Sequence, residues 1–199
     1  MSGTYFNIDG NENNDQLNSL SYNKTFKALV DTIIPRTPGL AVEYGKIQYF
    51  GATDSYTDEY LMYSLDYYSI PLAKPAAEML NIAALQLTDN NALYYVNEPF
   101  AKLSPINRLR TLELLNQNKF NLEEFPIPYR NDPRAVISTV NNMNRLTLMG
   151  YYSEWSGYGS TRLDSPSERE LEYIPISWKQ TGYPGPSLGY RALRVNTYI

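Results

Sequence analysis

Apolar residues recur at helical spacing along most of the chain between residues 21 and 150. The clearest stripe consists of Phe26, Leu29, Val30, Ile33 and Ile34. The spacing i, i+3, i+4, i+7 and i+8 predicts one amphipathic helix, and either Asn23 or Ser21 can cap its start. Pro35 ends this helix, because proline cannot continue the hydrogen-bonding pattern.

Weaker stripes follow in the middle of the chain. After a turn at Pro38-Gly39, a shorter apolar segment surrounds Leu40, Val42 and Ile47. A second helix is expected to start at Thr53 or Thr57 and to carry Tyr60, Leu61 and Leu65. A third is expected to start near Pro71 or Pro75 and to run through Met79, Leu80, Ala83 and Leu87.

Two later helices have strong start signals. Ser104-Pro105 combines a capping residue with proline at the first helical position, and Asp132-Pro133 repeats this arrangement. The first leads into the stripe Leu109, Leu112 and Leu115, and the second leads into Val136, Val140 and Met143. We expect the second helix to end at Gly150, and the segment 125–128 between the two helices to be extended.

These patterns predict an all-α protein: a compact bundle of about five to six short helices. Residues 1–20 are acidic and asparagine-rich, which is typical of an extended arm. Residues 21–150 form the helical domain. Residues 151–199 are rich in Gly, Pro, Trp and Tyr, and we expect an irregular aromatic segment that packs on the body or on a partner.

Composition excludes several kinds of chemistry. The chain has no histidine and no cysteine, so it lacks a thiolate nucleophile, a Ser-His-Asp relay and Cys/His metal ligands. Carboxylates, Lys, Tyr and Ser/Thr remain, which suffice for general acid-base chemistry but are few for an enzyme that carries its own cofactor. An enzyme acting by itself is therefore the least expected function, and we predict no catalytic, cofactor-binding or metal-binding residues. The net charge is -4 and no basic run is present, which argues against nucleic acid as a partner. No apolar stretch is long enough for direct membrane insertion, and the first residues lack a signal peptide.

The acidic residues have simple structural interpretations. Asp31 lies one turn before Pro35, and such an aspartate usually accepts hydrogen bonds from loop amides beyond the helix end. The pairs Asp58-Glu59 and Glu123-Glu124 resemble the paired carboxylates of general acid-base sites. Adjacent residues on a helix do not face one another, so we expect both pairs to be solvated surface.

The aromatic C-terminal segment contains the candidate contact residues. Tyr, Trp and Arg are enriched at the centres of protein interfaces. The predicted partner-binding residues are Trp155, Trp178, Tyr183, Tyr190 and Arg191. The alternative is that this segment wraps its own helices and seals their core. Sequence alone does not distinguish these interpretations.

Several motifs resemble one protein family. The stretch TFKALVDTIIPRTPG, residues 25–39, resembles the opening motif of the gluconate 2-dehydrogenase subunit 3 family. Phe100-x-x-Leu103-Ser104-Pro105 is similar to a later helix start in that family. GYYSEWSGYG and GYPGPSLGYR are similar to its aromatic C-terminal stretch.

This resemblance implies a non-catalytic accessory subunit. Such subunits associate with a large flavoprotein dehydrogenase of the glucose-methanol-choline type and support its assembly. Many members carry a twin-arginine export signal, which the first twenty residues here lack. The compartment is therefore open: cytoplasmic, deposited in a spore or surface layer, or exported with a partner. The alternative function is that of a structural, self-associating protein in a spore or surface assembly, as the 19 tyrosines suggest.

Overall fold

The computed structural model describes residues 22–67, 69–88 and 96–186, and the predicted arm at residues 1–20 lies outside these ranges. The described residues form eight α-helices and no β-strand, which confirms the all-α prediction. The helices are α1 Asn23–Ile33, α2 Ala41–Tyr44, α3 Thr57–Asp66, α4 Ala73–Thr88, α5 Pro99–Lys102, α6 Pro105–Asn116, α7 Pro133–Tyr152 and α8 Ile176–Thr181. Short 3₁₀ helices span Pro38–Leu40, Lys46–Tyr49, Ala52–Ser55, Leu122–Glu124 and Trp155–Thr161.

Five of these helices have ten or more residues, and they correspond to the five main stripes in the sequence. The two predicted proline starts are confirmed. The Ser104 hydroxyl accepts a hydrogen bond from the Asn107 amide at 3.4 Å. The Asp132 carboxylate accepts from the amides of Arg134 and Ala135, both at 3.0 Å. These bonds satisfy amides that have no partner inside the helix.

Some predicted boundaries are wrong. Helix α1 begins at Asn23, and Tyr22 occupies the capping position without capping the helix through its side chain. The Glu98 carboxylate instead accepts from the Thr25 amide in the first turn, at 3.2 Å. Ser21 lies outside the described residues. Residues 127–130 form a turn where we expected extended chain, although Phe125 itself is extended and buried. The aromatic segment is less irregular than predicted, since it contains a 3₁₀ helix and α8.

Helix α7 continues past Gly150 to Tyr152, two residues beyond the predicted end. Gly150 has a packing role instead. A Cβ atom added there would lie 2.4 Å from Cδ1 of Tyr60 and 3.2 Å from Cγ2 of Thr57. The absent side chain thus allows α7 to lie close against α3, the pair of helices at the centre of the fold.

The core lies between α1, α3, α4, α6 and α7, with Phe100 added from α5 and Phe125 from the connection between α6 and α7. The stripe of α7 is buried, and so are Phe26, Leu29 and Val30 of the stripe of α1, whereas Ile33 and Ile34 are partly buried against the core. The stripe of α6 is only partly so: Leu115 is buried and Leu112 packs against the core, but Leu109 is 55% exposed. Helix α6 therefore lies at the edge of the bundle, where one of the three leucines of its stripe faces solvent. None of the helices in the described ranges is long and apolar enough to cross a membrane.

Candidate interaction surfaces

Trp155 packs inside the chain. Its side chain is only 2% exposed, and its indole N–H donates to the carbonyl of Tyr56 at 2.9 Å. Its ring lies edge-on to Tyr60, with centroids 5.3 Å apart, and tilted over Tyr63 at 5.8 Å. Helix α3 therefore supplies the aromatic surface on which the start of the C-terminal segment lies.

Trp178, which lies in α8, packs against the end of α7 in a similar way. It is 6% exposed, and its indole N–H donates to the Tyr152 carbonyl at 2.9 Å. Its ring meets Tyr183 edge-on with centroids 4.9 Å apart, while Tyr183 itself is 45% exposed. The hydroxyl of Tyr151 donates to Gln180 at 3.1 Å and adds a second bond between α7 and α8. The two indoles thus hold the C-terminal segment to the helical body at separate points.

Arg162 also holds the C-terminal segment against α3, through Glu59. Its guanidinium donates to both carboxylate oxygens of Glu59, at 2.7 and 3.1 Å, and stacks 3.9 Å from the ring centre of Tyr56. Hydrogen bonding with Glu59 raises the pKa of Arg162 above its ordinary value. The bidentate geometry is that of a strong arginine–carboxylate pair, and it joins residues 103 positions apart in the sequence.

Arg169 makes a second cation–aromatic contact. Its guanidinium carbon lies 5.0 Å from the ring centre of Tyr63 and 5.2 Å from that of Trp155. Its Nε donates to the Asp164 carbonyl at 3.0 Å, which holds the side chain over the rings. Two arginines that sequence analysis did not single out therefore cover the aromatic face of α3.

Two glycines permit this close packing. A Cβ atom at Gly157 would lie 2.5 Å from the Tyr173 carbonyl oxygen. Gly159 has a φ of 51°, and a Cβ there would lie 1.9 Å from a carboxylate oxygen of Glu172. That carboxylate accepts from the Ser160 amide at 2.9 Å, and hydrogen bonding with Ser160 lowers the pKa of Glu172. These glycines serve the internal packing of the segment.

The five predicted contact residues are thus not equivalent. Trp155 and Trp178 are buried against the chain's own helices, and Tyr183 is exposed beside Trp178. Tyr190 and Arg191 lie outside the described residues. The internal packing of the indoles is what we expect if the segment seals its own body. Partner binding by the five residues stays a prediction.

The first pair of carboxylates, Asp58 and Glu59, does not form the solvated surface that we expected, since Glu59 is half-buried and paired with Arg162. Asp58 is 2% exposed, although we expected solvated surface, because it lies on the inner side of the first turn of α3. One of its oxygens has no hydrogen-bond partner in the described ranges. Burial raises the pKa of the Asp58 carboxyl above its ordinary value, and the charge of Lys27 opposes this shift. Glu123 and Glu124 are exposed, as predicted.

Asp31 does not bind loop amides as expected. It pairs with Arg108 of α6 at 3.3 Å, a contact that local sequence does not reveal. This pair lies in an open cavity of about 350 Å³ at the end of the bundle. The charged residues lining the cavity are Lys24, Lys27, Lys102 and Arg108, opposed by Asp31 and Glu98. The cavity is therefore a locally basic site on an acidic protein.

Residues 38–50 form an exposed apolar loop, which here means the chain from Pro38 to Phe50 with α2 at its tip. Its exposed large side chains are Leu40, Val42, Tyr44, Tyr49 and Phe50, and Val42 is 100% exposed. The base of the loop is fixed, since the amide of Thr37 donates to the Gln48 carbonyl at 2.8 Å. Arg36 and Asp54 form an ion pair just outside it. The sequence predicted an apolar segment here but not its exposure.

A cavity of about 540 Å³ lies beside α3. We call it the aromatic cavity, and its lining residues are Tyr22, Glu59, Met62, Tyr63, Asp66, Tyr67 and Leu163. The rings of Tyr63 and Tyr67 lie 6.1 Å apart, tilted by 39°. Sequence analysis placed Tyr60 on this helix but did not group any tyrosine of α3 with carboxylates.

Comparison of the chain with protein-family models, with curated proteins and with solved structures found no match. Within the described ranges, no three acidic side chains are grouped in a way that could hold a metal ion. The described ranges thus present four candidate features: the internally packed C-terminal segment, the exposed apolar loop, the basic cavity beside Asp31 and Arg108, and the aromatic cavity.

Proposed function

We propose that the protein is a non-catalytic accessory subunit that docks on a flavin-dependent dehydrogenase of the glucose-methanol-choline type. The observation that carries this proposal is the exposed apolar loop at residues 38–50. It begins where the motif at residues 25–39 ends, so the stretch that resembles the gluconate 2-dehydrogenase subunit 3 family leads directly into a loop with five exposed large apolar side chains, one of them Val42 at 100%.

Apolar side chains of this size favour contact with another protein. Contiguous exposed apolar patches are uncommon on monomers and usually mark interaction sites. The hydrogen bond between Thr37 and Gln48 and the ion pair between Arg36 and Asp54 restrain the base of the loop. A restrained loop loses less conformational entropy on binding than a flexible one, which favours affinity.

The C-terminal segment contributes indirectly to this proposal. Because Trp155 and Trp178 are buried, we expect them to shape the surface rather than to touch the partner. Tyr183 remains exposed and is the described aromatic residue of the segment that we expect to make direct contact. The absence of histidine and cysteine supports the non-catalytic role.

Co-purification from the native cell tests the proposal. A tagged chain should retain a second polypeptide that carries flavin absorbance and reduces dye with a sugar or polyol donor, whereas the isolated chain should do neither. Val42→Asp places a charge at the centre of the loop and should abolish retention. Ile127→Asp is the matched control, since Ile127 is also exposed but lies in the turn at residues 127–130.

Equal loss of retention in both variants would contradict docking through the loop. Dye reduction by the purified chain alone would contradict the non-catalytic role. Self-association into a structural assembly is the second candidate function, favoured by the same exposed apolar loop. It predicts large particles of the purified chain, with a size that depends on concentration and falls in Val42→Asp but not in Ile127→Asp.

A further inference from the structure

We propose that the aromatic cavity binds a guanidinium group, such as an arginine side chain presented by another polypeptide. Its volume of about 540 Å³ lies within the usual range of ligand sites, which is roughly 300–1,000 Å³. Its walls combine tyrosine rings, the Met62 thioether and Leu163 with two carboxylates. This inference concerns a different surface from the apolar loop and does not depend on the proposed function.

Two side chains that line the cavity, Glu59 and Tyr63, already contact guanidinium groups from the same chain. Arg162 stacks on Tyr56 and Arg169 lies over Tyr63, at 3.9 and 5.0 Å from the ring centres. The negative π-face of an aromatic ring attracts cations, and arginine is the commonest partner. Tyr67 continues this row of rings by one helical turn after Tyr63 and is largely exposed at the cavity.

The carboxylates add charge and hydrogen-bond acceptors. Glu59 is occupied by the bidentate pair with Arg162. Asp66 accepts the Ala73 amide at 2.8 Å through one oxygen, and it forms no ion pair with any other residue in the described ranges. Its second oxygen can therefore accept from a guanidinium that lies against Tyr67. An arginine in the cavity would repeat the arrangement of Arg162, with one ring and one carboxylate.

The decisive comparison uses two peptides that differ only in charge. The probe is the tripeptide glycine-arginine-glycine, blocked at both ends, and the control replaces arginine by citrulline, its neutral isostere. Titrations of the full chain followed by amide chemical shifts should show saturable binding of the arginine peptide. The citrulline peptide should bind about tenfold more weakly, because it keeps the shape and loses the cation.

Three variants locate the site. Asp66→Asn keeps an oxygen acceptor for the Ala73 amide and removes the charge, so it should weaken arginine binding while leaving the urea midpoint nearly unchanged. Tyr67→Leu should weaken binding about tenfold, whereas Tyr67→Phe keeps the π-face and should bind as the parent does.

Equal affinity of the parent for the arginine and citrulline peptides would overturn the proposal, and this result needs no variant to fold. So would unchanged binding in both Asp66→Asn and Tyr67→Leu. Chemical-shift changes confined to residues that do not line the aromatic cavity would place the guanidinium elsewhere and would also overturn it.

Discussion

Replacing Trp155 with alanine tests whether the C-terminal segment is part of the fold. The indole is buried between Tyr60 and Tyr63, is covered by Arg169, and donates to the Tyr56 carbonyl at 2.9 Å. Truncation of a buried tryptophan costs about 3–5 kcal/mol. Trp155→Phe keeps an apolar ring and loses the N–H donor, and a lost hydrogen bond costs about 1–2 kcal/mol.

Urea unfolding followed by circular dichroism measures both variants. With a slope of about 2 kcal/mol per M, Trp155→Ala should lower the midpoint by about 1.5–2.5 M and Trp155→Phe by about 0.5–1 M. An alanine variant with a midpoint within about 0.5 M of the parent would refute the reasoning, because the ring would then not stabilise the folded monomer. Loss of partner binding without such a shift would assign the tryptophan to an interface.

Three further predictions concern the helical body and are measured by urea midpoints. Leu29→Ala should lower the free energy of unfolding by about 2–5 kcal/mol because Leu29 is fully buried. Leu109→Ala should change it by less than about 1 kcal/mol because Leu109 is exposed. Equal effects of the two substitutions would contradict the described packing. Gly150→Ala should destabilise the folded protein, since overpacking costs about 1–3 kcal/mol and outweighs the gain of about 1 kcal/mol in helix propensity. Gly39→Ala is the control, because a Cβ atom there meets no atom within 4 Å and should be tolerated. The pKa of Asp58 is raised, so the folded state binds the proton of this carboxyl more tightly than the unfolded state does. The stability that this group contributes therefore falls as the pH rises from the ordinary value of 3.8 through the raised pKa. Over that pH window, Asp58→Asn should become more stable relative to the parent. A constant difference between Asp58→Asn and the parent at all pH values would contradict this coupling.

Local sequence signals predicted the main helices well. The proline starts after Ser104 and Asp132 and the proline after α1 act through hydrogen bonds within a few residues, so the sequence contains the information that sets them. Helix propensity and capping describe such short-range effects. The all-α class followed from the same signals.

The residues whose surroundings were wrongly predicted make contacts with distant parts of the chain. Asp31 meets Arg108 across 77 positions, and Glu59 meets Arg162 across 103. The burial of Asp58 and the exposure of Leu109 depend on which side of each helix faces its neighbours, and periodicity alone does not fix that at the edge of a bundle. The cavities share this origin, because their walls come from residues that are close only after folding.

The hydrogen bond between Trp155 and Tyr56 joins residues 99 positions apart, and this separation affects synthesis. Ribosomes add about 5–20 residues per second, so the tyrosines of α3 leave the ribosome roughly 5–20 s before the residues that cover them. During that time the nascent chain presents a bare aromatic helix face. We expect a chaperone to bind this face transiently in the cell. Variants that weaken the contacts of Trp155, Arg162 or Arg169 with α3 should therefore reduce the yield of folded protein more than their equilibrium stability implies.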